Sequence, residues 1–108
     1  MANIMNASFT ITNETKMSED TQSKIINHIK ENIAYDDYID INDSEEDVIS
    51  LYLSVKWSLD YIKLYLTGMC KAFKVTLEAR GEEEGIGFYE VMNIDNRGKI
   101  IKHEELSF

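Results

Sequence analysis

An α+β fold on a mainly antiparallel sheet is the expectation, and three observations carry it. Runs of strict apolar/polar alternation recur along the chain, two segments of helical periodicity separate them, and the last two runs are joined by a four-residue turn. Ala7, Phe9 and Ile11 alternate with Ser8, Thr10 and Thr12, so residues 4–12 are expected to form a first strand. Ser18 can cap a helix whose first turn holds Glu19 and Asp20 and whose apolar stripe is Ile25, Ile26, Ile29 and Ile33, which gives a helix over about 18–34.

Residues 35–47 carry seven acids and no base, and read as a loop or an edge strand, with a short strand at Tyr38–Ile41 as one form of it. Ile49, Leu51, Leu53, Val55 and Trp57 then alternate with Ser50, Tyr52, Ser54 and Lys56, the pattern of a half-buried strand over 48–57. Ser58 is expected to cap a second helix with Leu59, Ile62, Tyr65, Leu66 and Met69 inside, ending near Cys70. Phe73, Val75, Leu77 and Ala79 mark a strand that Gly81 closes. Residues 87–94 and 99–104 make a hairpin around Asp95-Asn96-Arg97-Gly98, where Asn and Gly tolerate positive φ. Counting the strand at 38–41, the order is βαββαβ plus a C-terminal hairpin. That is a ferredoxin-like sandwich over residues 1–108, with both helices on one sheet face and Thr10, Tyr52, Thr76 and Glu78 on the other.

Charge narrows the function. The chain has 108 residues and a net charge of −9, and residues 1–47 hold 11 acids against 3 bases. Such a surface repels a phosphate backbone, so direct nucleic-acid binding is not expected, whereas a basic protein surface is a natural partner. Cys70 is the sole cysteine, which excludes an intramolecular disulfide and fits a reducing cytoplasm. No apolar run reaches membrane-spanning length, and the N-terminus lacks the pattern of a secretory signal.

Tests for chemistry fail one after another. From Asp40, the calcium-loop register places Glu45 where glycine is required and Leu51 where a bidentate Glu belongs. The glycines of Gly81–Gly87 flank Glu82, Glu83 and Glu84, whose charge excludes a phosphate. His28 and His103 have no companion ligands in sequence, so no metal site and no cofactor are expected. Cys70 reads as a small core residue, not a nucleophile, and Trp57 reads as core between strand and second helix. No enzymatic activity is expected.

The opening Met1-Ala2-Asn3 with Asn6 and Thr10-Ile11, the Lys56-Trp57-Ser58 step before a helix, and the Glu84-Gly85-Ile86-Gly87-Phe88 loop resemble the YubB-type ferredoxin-like domain of small phage and plasmid proteins. The chain departs from that pattern in having no proline after Lys56-Trp57. The resemblance implies a ferredoxin-like fold without an iron–sulfur cluster and an origin on a mobile element, and it supplies no catalytic residue.

The acidic segment is left as the candidate site. Asp36, Asp37, Asp40, Asp43, Glu45, Glu46 and Asp47, with Glu82, Glu83 and Glu84 as a second patch, can imitate a phosphate backbone or simply solvate the surface. The expected function is a non-enzymatic phage-type inhibitor: an anti-CRISPR-like DNA mimic that binds a basic, nucleic-acid-binding host protein in the cytoplasm. The alternative is a structural or accessory domain that self-associates, as a homodimer, through a sheet edge or through Tyr35, Tyr38 and Tyr52.

Overall fold

The computed structural model describes residues 4–83, 85 and 87–107, and the backbone alone for residues 37, 42–44 and 107. In chain order the elements are β1 (Ile4–Thr12), α1 (Glu19–Asn32), β2 (Ala34–Ser44), β3 (Val48–Lys56), α2 (Lys63–Phe73), β4 (Thr76–Glu83), β5 (Phe88–Ile94) and β6 (Ile100–Ser107). The strands form one sheet in the order β2-β3-β1-β4-β5-β6, and every neighbouring pair is antiparallel.

Alternation decides which face is buried. Met5, Ala7, Phe9 and Ile11 of β1 pair with Val55, Leu53, Leu51 and Ile49 of β3, and all eight are buried. Leu77 and Ala79 of β4 continue the row to Ile94 and Met92 of β5. Ile25 and Ile29 of α1 and Leu66, Met69 and Cys70 of α2 belong to the same core cluster. Each such apolar side chain contributes roughly 1.5–3 kcal/mol, so this one-sided burial outweighs the weaker local propensities. None of the described helices is long and apolar enough to cross a membrane.

β1 and α1 follow the sequence reading closely. The Ser18 hydroxyl accepts the Thr21 N–H at 3.1 Å, and Glu19 and Asp20 occupy the first turn. The Asp95–Gly98 turn also forms as expected: Asp95 Oδ1 accepts the N–H groups of Arg97 and Lys99, both at 2.9 Å, and Gly98 takes φ +81°. Those two bonds hold the Asp95 carboxyl below the usual range.

Five expectations need correction, four of them at element boundaries. The 38–41 strand is the middle of an eleven-residue edge strand, because at an edge the carboxylates of β2 stand in water and cost the ladder nothing. Ser58 does not cap α2: its hydroxyl accepts the Tyr61 N–H at 3.1 Å within a preceding turn, and the helix begins at Lys63 with no side-chain cap. At the other end α2 runs to Phe73 and Lys74 closes it with φ 56°, so Phe73 is half-buried by helical and not strand phase. β4 continues past Gly81 to Glu83, paired with Ala7 and Asn6 of β1 and with Glu90, Tyr89 and Phe88 of β5, and glycine there lets the strand lie over the end of the Met5 side chain without displacing it.

Trp57 is not core. The backbone turns there to φ 72°, which breaks the alternation after Val55 and Lys56, and the indole is 50% exposed. It stacks on Tyr61 with centroids 5.0 Å apart, and Lys56 Nζ sits 5.8 Å from its ring. Leu59 fills the buried place instead.

Candidate functional site

The acidic segment becomes β2 and the turn that follows it. Asp36 and Asp40 are exposed on the strand, Asp37 and Asp43 lie on it at positions where only the backbone is described, and Glu45, Glu46 and Asp47 form the exposed turn into β3. The turn is anchored from outside. The carbonyls of Glu45, Glu46 and Asp47 accept hydrogen bonds from Gln22 Nε2 (2.9 Å), the Met17 N–H (2.6 Å) and the Asn13 N–H (2.9 Å). Three consecutive acids are thereby clamped to the β1–α1 connection and the first turns of α1. Among the described residues, Lys16 on Glu46 at 2.7 Å is the one ion pair in the segment, and at exposed groups such a pair neutralises little.

Glu82 and Glu83 end β4, which is separated from β2 by β1 and β3. The register Glu82–Asn6–Ser54 places Glu82 at the opposite end of the sheet from the Asp47 turn, which borders Val48 and its partner Thr12. The two patches are therefore distinct surfaces. Glu84 lies outside the described residues. Glu82 instead borders a shallow cavity of about 210 Å³ on the outer sheet face, lined with Asn6, Ser8, Tyr52, Arg80 and Tyr89. A neighbouring hollow of about 320 Å³ shares Tyr52 and is bordered by Tyr38 and Asp40. Tyr38 and Tyr52 thus flank the acidic edge as exposed rings, the residue type that carries binding energy at protein interfaces.

A second group of side chains was not visible as a site in the sequence. Glu90 of β5 is fully buried, in phase with Met92 and Ile94. Its Oε1 accepts the Leu59 N–H at 2.7 Å, and its Oε2 accepts the Asp60 N–H at 3.3 Å and His103 Nε2 at 2.6 Å. Glu90 so holds, from across the fold, the first amides of the turn that precedes α2. His103 is consequently no isolated strand histidine: its side chain is 25% exposed and faces Glu105 Oε1 at 3.7 Å on the other side. Glu90 and Glu105 are direct cross-strand partners. Desolvation, then the Glu90 charge and a hydrogen bond to it, push the Glu105 carboxyl above its ordinary value.

Cys70 is buried, and burial together with the nearby Asp95 charge pushes its thiol up to about 12, so it is no nucleophile at neutral pH. His28 sits with Nε2 3.4 Å from the Tyr65 carbonyl and serves helix packing between α1 and α2.

No family model matches the sequence, and no curated protein does. Among solved structures the chain is similar to LarC2, the C-terminal domain of a cyclometallase involved in the synthesis of the NPN cofactor of lactate racemase, in its apo form. The identity is 11%, the TM-score 0.40, and the match covers 100% of this chain and 81% of that one.

Proposed function

We propose that this chain is a ferredoxin-like, non-enzymatic binding protein of phage type that presents its acidic sheet edge to a basic, nucleic-acid-binding host protein in the cytoplasm and blocks its nucleic-acid groove, as an anti-CRISPR protein would. The ferredoxin-like reading is supported by the β2-β3-β1-β4 order with helices after β1 and β3, β5-β6 being added at the β4 edge. Both helices share one core cluster with the inner row of strand residues, which supports their lying on one face.

One observation carries the binding reading: the acidic turn is held, not loose. A merely solubilising loop has no need of three carbonyl anchors, whereas a docking surface gains affinity when the backbone that bears its charges is ordered before contact. From Ala34 to Ser44, β2 runs alongside Val55–Ile49 of β3, about 20 Å, and its four carboxylates over that length give about one charge per 5 Å, against one per 3.4 Å on a DNA strand. Tyr38 and Tyr52 beside them would supply the apolar contact that charge alone lacks. Occlusion needs no reaction, which agrees with an unreactive thiol at Cys70.

The test is capture of partners from host lysate on the tagged chain, at low and at raised salt, beside a variant with Asp36, Asp40, Glu45 and Asp47 changed to Lys. Recovery of a basic nucleic-acid-binding protein by the parent alone, released by salt, is the expected outcome. Equal recovery by the variant would sink the acidic edge as the site. Recovery of the bait alone, with a concentration-dependent mass in sedimentation, would favour the self-associating accessory domain.

A further inference from the structure

We propose that Glu90, His103 and Glu105 form a binding site for one divalent first-row transition-metal ion, with zinc as the best match among common ions. The three donor atoms lie within 4.8 Å of one another, on adjacent strands whose register is set by the Asp95–Gly98 turn together with the bulge between Asn93 and Ile94. Metal–ligand bonds of about 2.0–2.2 Å put the donors of a tetrahedral ion about 3.4 Å apart, and the His103–Glu90 and His103–Glu105 separations of 2.6 and 3.7 Å bracket that value. Closing the site requires the His103 ring to back away from Glu90 by about 0.8 Å and the exposed Glu105 side chain to rotate inward.

A second, independent observation is the charge balance of the pairing. Two glutamates stand directly opposite each other across β5 and β6, an arrangement that destabilises a sheet unless a cation separates them. One of the two is wholly buried, where an uncompensated charge is most costly. Asp60 adds a third carboxylate to the same neighbourhood, and it is already engaged with Lys63 at 3.3 Å. One imidazole faces this group, and a divalent ion coordinated by it would balance the two glutamates.

The donor set selects the kind of ion. An imidazole nitrogen with two carboxylates suits zinc and its neighbours, whereas calcium requires six or more oxygens and magnesium retains its waters. Glu90 is oriented by the Leu59 and Asp60 amides, the outer support that metal-ligating carboxylates commonly have. Binding would replace the His103 hydrogen bond to Glu90 by two bonds to the ion. Three protein donors leave a coordination position toward solvent on the Glu105 side, which is open.

The experiment titrates zinc into the full chain by calorimetry at neutral pH, and follows cobalt(II) by its visible absorption. The variants are His103→Ala and Glu105→Gln, with His28→Ala as a control. Glu90 is left intact because its replacement removes the cap of the Leu59–Ile62 turn. One zinc per chain is expected, with at least tenfold weaker binding in both site variants, an unchanged His28→Ala, and cobalt bands of low coordination number that His103→Ala abolishes. His103→Ala tests the nitrogen donor, and the exposed Glu105→Gln keeps the test valid should the first variant fold poorly. The proposal is overturned by absence of zinc binding at 100-fold excess, by equal binding of magnesium and zinc, or by Glu105→Gln binding zinc as the parent does.

Discussion

Glu90 and His103 meet at 2.6 Å across the β5–β6 ladder, and the same carboxylate reaches 31 residues back along the chain to the Leu59 N–H. One buried side chain therefore ties three segments together: the hairpin strand that bears it, the edge strand opposite, and the turn that launches α2. Glu90→Ala is expected to cost about 3–5 kcal/mol, because it removes a buried partner and leaves two amides unsatisfied. The exposed change Asp20→Ala should stay within about 0.5 kcal/mol. Urea denaturation of both variants checks this, and similar midpoints would disprove the tie.

The Glu105 carboxyl is raised in the folded state, so its contribution to stability is full below the ordinary glutamate value and is lost as pH rises through the folded value. Glu105→Gln mimics the protonated form at every pH. Its melting temperature should match the parent near pH 4 and exceed it near pH 7, measured without added metal. A difference that does not vary with pH would mean that Glu90 and Glu105 do not repel.

Gly81 lies over the end of the Met5 side chain. Gly81→Ala is expected to destabilise by roughly 1–3 kcal/mol through overpacking. Shortening the neighbour should restore most of that: Gly81→Ala with Met5→Val should be less damaging than the sum of the two single changes by about 1 kcal/mol or more. Thermal or urea melts of the four-member cycle give the answer, and strict additivity would rule out the contact.

Lys74 ends α2 in the left-handed region, at φ 56° and ψ 47°. A side chain there costs about 1 kcal/mol that glycine avoids, so Lys74→Gly should raise stability by about 0.5–1 kcal/mol despite the greater freedom of the unfolded chain. Unchanged or lowered stability in urea would show that the Lys74 stem is held by packing.

Legibility in the sequence followed the range of the interactions. β1, β3 and α1 could be read because each has a wholly local reason: alternation against one buried face, or the Ser18 cap followed by Ile25 and Ile29. β2 was half-hidden because a strand at a sheet edge keeps polar residues, so the segment read equally as loop or edge strand and only 38–41 stood out as a strand. The start of α2 was misplaced because Ser58 offered a local cap that the chain uses for an earlier turn, one that Glu90, a tertiary partner, holds at Leu59, while α2 itself begins uncapped at Lys63. The acidic segment was visible as composition, but its anchoring by Asn13, Met17 and Gln22 was not. The Glu90 group stayed out of sight because its members are far apart in sequence and meet only through strand register. Part of a signal was present, since Glu90 shares phase with Met92 and Ile94, but counting back from the Asp95–Gly98 turn sets it against Glu104, and only the bulge between Asn93 and Ile94 brings Glu105 opposite.

The turned-out indole of Trp57 gives the molecule an optical voice of its own. It is the chain's sole tryptophan, half in water, stacked on Tyr61 and two residues from the amide that Glu90 holds. A shift of Glu90 that pulls on the Leu59 and Asp60 amides enters the turn that sets the distance between the two rings. The emission colour and intensity of one native fluorophore can then follow the state of the buried carboxylate in real time, with no dye attached and no residue exchanged.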